Sequence, residues 1–322
     1  MQSISRRYFF FGSLALAVSC RGPRRPERTL SRGAPVSIVR AGSYSVDLAG
    51  KIRRILIEHQ VRVAGKRVVL KPNLVEFSPH APINTNPVFV AAVAEAFRAL
   101  GAQEVRVAEG PGHRRMTLDL AEAAGYFQTF RRFEENFTDL NLDDVSRVAL
   151  TKPFSSLKEL YLPHTVLGCD LLVSLPKMKT HHWTGATLSM KNLFGVVPGG
   201  VYGWPKNPLH WAGINQCVAD LHYLFPRQFS IVDGIEAMEG NGPILGKSKK
   251  AGIIVAGSHA PSVDATCCEI MQIDPSKIGY LQLVAQRSGW QCGSAAQMAE
   301  TVAAVRTPFE LIPEFAGLRL HV

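Results

Sequence analysis

Residues Cys169–Gly200, CDLLVSLPKMKTHHWTGATLSMKNLFGVVPGG, set the terms for the whole chain. The run Cys169–Leu175 is strongly apolar and is closed by Pro176, which reads as a buried strand. Three lysines, two adjacent histidines, a tryptophan and several hydroxyls follow at once, before a Gly/Pro-rich end. In open α/β sheets, ligands bind just outside the carboxyl ends of the strands. The polar cluster therefore marks a candidate site, placed by the strand that precedes it.

Working outward, short apolar runs alternate with amphipathic segments. Val36–Val39, Val68–Leu70, Val105–Ala108, Phe229–Val232 and Ala251–Ala256 read as strands, with a late one at Pro308–Ile312. Val46–Gln60, Leu118–Phe133, Trp211–Leu224 and Val263–Met271 carry helical spacing. Asn86-Pro87 starts a further helix, with Asn at the N-cap and Pro at the first position, and Gly101 stops it. Strand–helix–strand order with such connections predicts right-handed crossovers. The expected fold is α/β: a mostly parallel open sheet flanked by helices, with an inserted hairpin of Arg147–Leu150 and Leu157–Leu162. Residues 34–322 are expected to form one domain, preceded by a separate segment, 1–33.

Polar groups gather where these strands should end: Lys71 and Asn73, Glu109 and His113, Lys177 and Lys179, and Asp233. If the strands run parallel, these side chains converge on one rim of the sheet. Polar loops alone would produce some of this clustering. Lys177, Lys179 and Lys191 lie within one short stretch among Thr180, Thr184, Thr187 and Ser189. Ammonium groups and hydroxyls around a glycine-rich loop suit a phosphate or a carboxylate. Asn192 sits beside Lys191 in an apolar, turn-forming frame, so it joins the candidate ligand-binding set.

His181 is the candidate acid/base, with Asp233 or Asp264 as carboxylate partner. A divalent metal is an alternative, held by His181 with Glu109 arriving from another strand. His181 and His182 would share one ion only from an irregular loop, since neighbours on a strand face opposite ways. His113 and His210 are weaker candidates. Asp264 follows Pro261-Ser262 at a helix start, where N-capping alone would explain it. Glu236 and Glu239, with Asp233, read equally well as an acidic surface turn. Gly246-Lys247-Ser248 hints at a phosphate loop, but Asn241 stands where that motif needs Gly and no helix follows.

The motifs occur in a fixed order: Lys71-Pro72-Asn73-Leu74, Glu109-Gly110, Leu175-Pro176-Lys177-x-Lys179-x-His181, Ser189-Met190-Lys191-Asn192-Leu193-Phe194-Gly195, Asp233-Gly234-Ile235 with Gly242-Pro243, and Val263-Asp264-Ala265. In this the chain resembles the family called domain of unknown function 362 (DUF362), from about Val36 to Ile278. The resemblance is the chief reason to count Asp264 among the site residues. Many members of that family carry a C-terminal ferredoxin-like module with cysteine-bound iron–sulfur clusters, which this sequence lacks.

The chain has 322 residues, 46% hydrophobic and 19% charged, with a formal charge of +10. Residues 1–33 hold seven arginines against Glu27, so +6 sits there and only +4 on the other 289 residues. With no aromatic-plus-basic repeat, the body is not a nucleic-acid surface. Ser5-Arg6-Arg7 precedes the apolar run Tyr8–Val18, a pattern that resembles a twin-arginine export signal. Ala17-Val18-Ser19-Cys20 reads either as a degenerate lipobox that anchors Cys20 in a membrane or as a cleavage site after Ala17. The Arg/Pro-rich tether behind it could lie on anionic headgroups. The expected location is therefore exported, periplasmic or membrane-anchored, with the twin-arginine machinery as partner.

Five further cysteines, Cys169, Cys217, Cys267, Cys268 and Cys292, show no C-x-x-C spacing, so no iron–sulfur cluster is expected. Most lie in apolar or helical surroundings and read as buried thiols. No serine-hydrolase elbow, zincin helix or dinucleotide fingerprint is present. The favoured expectation is an exported enzyme that binds a small anionic molecule or cofactor. A non-catalytic ligand-binding protein and a redox partner are the alternatives.

Overall fold

A computed structural model describes residues 34–113 and 116–321. The expected export signal and Cys20 lie outside them. Among the described residues twelve strands form: β1 (Val36–Arg40), β2 (Arg67–Pro72), β3 (Glu104–Glu109), β4 (Phe137–Asp139), β5 (Val145–Ala149), β6 (Glu159–Pro163), β7 (Leu171–Leu175), β8 (Lys177–His181), β9 (Gly185–Thr187), β10 (Gln228–Asn241), β11 (Leu245–Gly257) and β12 (Gln297–Ala299). The main sheet has the order β12-β1-β11-β10-β7-β2-β3-β4, with β8 and β9 added beside β10.

Parallel pairing joins β10 to β7, β7 to β2, β2 to β3 and β3 to β4, as well as β1 to β12. The antiparallel members are β11, which pairs with β10 through a hairpin and with β1 on its other side, and β9, which pairs with β8. The sheet is thus mostly parallel, as the alternation of apolar runs and helices predicts. β5 and β6 form their own antiparallel pair, the expected inserted hairpin.

The strands read as nearly unbroken apolar runs because both faces are covered. Their period-2 alternation divides the interior into two cores. Val68, Leu70, Val173, Phe229, Ile231 and Ile254 face the helices Leu48–Glu58 and Pro87–Ala99. Val69, Leu172, Val232, Ile253 and Val255 face Ile214–Leu224, Ala260–Ile270 and Gly279–Ser288. Helix starts follow the sequence: Asn86 accepts from the Val88 N–H at 2.9 Å with Pro87 next, and Asp47 accepts from the Gly50 N–H at 2.8 Å.

Several boundaries depart from expectation. Pro176 interrupts the central strand without ending it: Lys177–His181 resumes as β8, so the polar cluster is strand, not loop. Asp233–Ser248 is no acidic turn but most of the long β10–β11 hairpin. Leu118–Phe133 splits into Thr117–Ala123 and Tyr126–Thr129. Trp211–Leu224 breaks at Gly213, whose φ of 100° is open to glycine, leaving Asn207–Trp211 and Ile214–Leu224. Pro308–Ile312 is not a strand, and the edge position falls to Gln297–Ala299.

Of the five described cysteines, Cys169, Cys217, Cys267 and Cys268 are buried and Cys292 is half-buried, all with free thiols. Burial pushes the Cys169 and Cys217 thiols up to about 11, which makes them inert packing groups. Among the described residues no helix is long and apolar enough to cross a membrane.

Candidate functional site

Lys71 closes β2, and its ammonium group is sealed from solvent. All three of its donors are spent: on Glu109 Oε2 at 2.5 Å, the Pro72 carbonyl at 2.9 Å and Asn192 Oδ1 at 3.1 Å. Glu109, closing β3, also accepts from the Leu74 and Gly110 N–H groups. Asn192 returns two donors, to the Lys71 carbonyl and to Ser174 Oγ, both at 3.0 Å. Thr85 Oγ1 donates to the Leu175 carbonyl and accepts from the Asn73 N–H, tying the chain after β2 to the end of β7. Gly195 is packed so closely on Glu109 and Lys71 that a Cβ there would collide with both. These contacts fix a rigid back wall.

In front of that wall lies a cavity of about 220 Å³. Lys71, Asn73, Glu109, His113, Lys179, His181, Lys191 and Asn192 all line it. Strand ends separated in sequence thus do deliver their polar groups to one hollow. Lys206 and His210 also line it, and Trp183 and Phe194 contribute rings.

The charges do not balance. Lys179 Nζ donates only to the Ile83 and Pro243 carbonyls, at 2.9 and 3.3 Å. Lys206 Nζ donates to the Gly110 carbonyl at 2.7 Å and the Phe194 carbonyl at 3.4 Å. Lys191 Nζ lies 4.3 Å from the centre of the Phe194 ring, a cation–π contact. Among the described residues none of these three has a carboxylate within ion-pair distance.

Burial accordingly pushes the Lys191 ammonium down to about 8, with the Lys71 charge adding to it. Burial is also the main cause that lowers Lys206 to about 7, Glu109 opposing. Lys179 is driven well below the usual range by burial and then by Lys191 and Lys177. His181 is held well below its ordinary value by burial and the nearby lysines, so it is a neutral imidazole. Its Nδ1 accepts from the Trp183 N–H at 3.0 Å, leaving Nε2 for other partners. Two buried oxygens on the lining, Asn73 Oδ1 and Thr187 Oγ1, have no hydrogen-bond partner among the described residues.

The remaining expected residues sit elsewhere. Lys177 and Asp233 are paired at 2.5 Å in a sealed cluster beside the cavity, not on its lining. Tyr44 donates to Asp233 Oδ1 at 2.9 Å and accepts from Lys177, which also donates to the Glu236 carbonyl. Asp264 is sealed too, accepting from the Ser189 and Met190 N–H groups at 2.7 and 3.0 Å. It anchors the start of the helix Ser189–Asn192. Burial pushes its carboxyl up to about 7 while those N–H groups oppose the rise.

A divalent cation does not suit His181 with Glu109. Glu109 is committed to Lys71 and two backbone N–H groups, and four lysine ammonium groups surround the space. Among the described residues no cluster of three His, Cys, Asp or Glu could hold a metal.

Lys206 escapes sequence reasoning because it lies in Val201–His210, which has neither strand nor helix periodicity. A lysine framed by Pro205 and Asn207-Pro208 was its one local signal. Its backbone is left-handed, with φ of 70°, uncommon outside glycine and often tied to function.

Comparison with known proteins adds a family. The model described as domain of unknown function (DUF362) matches residues 68–269. The thylakoid-associated protein sll1697 of Synechocystis sp. is 28% identical over 257 residues, covering 76% of each chain. Among solved structures, the lactate racemase apoprotein of Thermoanaerobacterium thermosaccharolyticum aligns over 77% of this chain with 14% identity and a TM-score of 0.45. A protein from Thermotoga maritima aligns over 69% with 13% identity and a TM-score of 0.38. The chain spans 59% and 57% of those two structures' lengths, and at such scores neither bears on what it does.

Proposed function

The chain belongs to the DUF362 family, and on that premise we propose that its cavity captures a small organic anion and that the buried amines move a proton on it. The observation that carries this reading is the unmatched charge: Lys179, Lys191 and Lys206 converge on one hollow with no carboxylate among the described residues within ion-pair distance. Buried charge without a partner is costly, and an anionic ligand would repay it. Lys206 and Lys191 titrate near neutrality, the range a general acid or base needs.

One observation favours capture without chemistry. Glu109 and Asp233 are both locked in lysine pairs, so neither is available as a base. Proton transfer would then rest on amines and the neutral His181. Export by the twin-arginine route and anchoring through Cys20 stay part of this proposal, supported by the sequence of residues 1–33. The thylakoid association named for the Synechocystis relative suits a protein that works near a membrane.

Calorimetric titration with a panel of small carboxylates and phosphates tests the anion site. At least one should bind, and Lys191→Met should weaken it tenfold or more without lowering the melting temperature. An equal loss of stability, or no binding by any anion, would overturn the reading.

A further inference from the structure

One wall of the cavity is built almost wholly of rings. His181 stacks on His182 at 5.0 Å and 24°, and His182 meets Trp183 edge-on at 5.1 Å. Trp183 meets His210 at 5.0 Å and 75°, and His210 packs on Phe194 at 5.2 Å. The ladder crosses between distant pieces of chain: the end of β8, the turn after it, the helix Asn207–Trp211, and the turn after Lys191. Core packing does not explain its outer end, since Trp183 is 56% exposed. Trp183 thus offers open ring surface at the rim of the cavity that it lines.

Lys179, Lys191 and Lys206 line the same cavity, and Lys191 Nζ stands 4.3 Å from the centre of the Phe194 ring, at the inner end of the ladder. We infer that the ligand is a small aryl acid: a single aromatic ring lying against the Trp183–His210–Phe194 wall, with a carboxylate or phosphate on the lysines. This inference rests on the anion-capture reading above and narrows its ligand class. Size limits it further. A cavity of ~150 Å³ lined by apolar groups holds benzene. The 220 Å³ here accommodates one ring and one acidic group. The two oxygens without partners, Asn73 Oδ1 and Thr187 Oγ1, provide places for a ring hydroxyl or amino substituent.

The geometry of the wall favours aromatic over saturated rings. Edge-to-face and offset contacts between π systems add to what area burial alone gives. His181 and His210 are both pushed toward the neutral form, so they meet a guest as rings rather than as cations.

The test compares four probes on the full-length protein: benzoate, cyclohexanecarboxylate, acetate and inorganic phosphate, by calorimetry at fixed ionic strength. Benzoate should bind at least tenfold more tightly than acetate and severalfold more tightly than cyclohexanecarboxylate. Trp183→Ala, at a half-exposed position, should fold normally and lower the benzoate-to-acetate affinity ratio severalfold. Cyclohexanecarboxylate equal to benzoate, or an unchanged ratio in the Trp183 variant, overturns the ring assignment. If acetate or phosphate binds as tightly as benzoate and Lys191→Met abolishes it, anion capture stands and the aryl inference falls. If no probe binds, both fall.

Discussion

Lys177 and Lys179 stand two residues apart on β8, both sealed from solvent, and their surroundings could hardly differ more. Lys177 meets a carboxylate at 2.5 Å, a tyrosine hydroxyl and a carbonyl, so its charge is answered within the fold. Lys179 meets two carbonyls and, beyond them, Lys191 and the cavity. The first arrangement resembles a structural rivet. The second is a debt left open, and an open charge at a hollow is what an anion site requires. Burial alone does not mark function; burial without a counter-charge does.

The comparison can be broken most forcefully at the rivet. Asp233→Asn leaves Lys177 charged and unpaired, and should cost about 3–5 kcal/mol in urea unfolding. The double change Lys177→Met with Asp233→Leu should recover much of that loss, because the pair and an apolar filling are near equivalents. A mild effect of Asp233→Asn would mean that the two lysines are not so different.

A pH series separates the two regions next. Lys191 and Lys206 are depressed to about 8 and about 7, below the values they take when unfolded. The unfolded chain therefore binds more protons between about pH 7 and about pH 10, and stability should rise with pH through that window. Anion affinity should fall over the same range, as the ammonium groups discharge. Melting curves in anion-free buffer and with saturating anion should accordingly converge as pH rises. Parallel curves would refute the assignment of these lysines to the anion.

The smallest effect belongs to Tyr44→Phe, which removes one hydroxyl from the rivet. It should cost about 1 kcal/mol of stability and leave anion affinity within twofold. Any larger change in affinity would couple the two clusters.

Much of the fold was legible because its strands are covered on both faces and so read as plain apolar runs, from Val68–Leu70 to Phe229–Val232. The back of the site was legible for a related reason: Lys71, Asn73, Glu109, Lys179 and His181 each stand in or just after such a run. What separates Lys177 from Lys179 was not, since it depends on a register shift between β8 and β10, where Lys177 pairs with Asp233 but Lys179 with Met238, and on which neighbour each lysine then meets. Lys206 follows no periodicity. The edge strand Gln297–Ala299 is three residues without an apolar pattern. Pro308–Ile312 alternates like a strand, yet Phe309 bonds to the Met271 carbonyl and Glu310 to Gly240 and Glu239, so it docks across other elements.

Strand β10 has a mechanical consequence. Its first residues pair with β7 inside the sheet, and its later ones pair with β8, which carries Lys179 and His181. The floor beneath the hollow is thus a prolongation of the innermost ladder and shares its stiffness. Lys179 and His181 stand on that stiff floor, whereas Trp183 and Pro243, which also line the hollow, belong to turns.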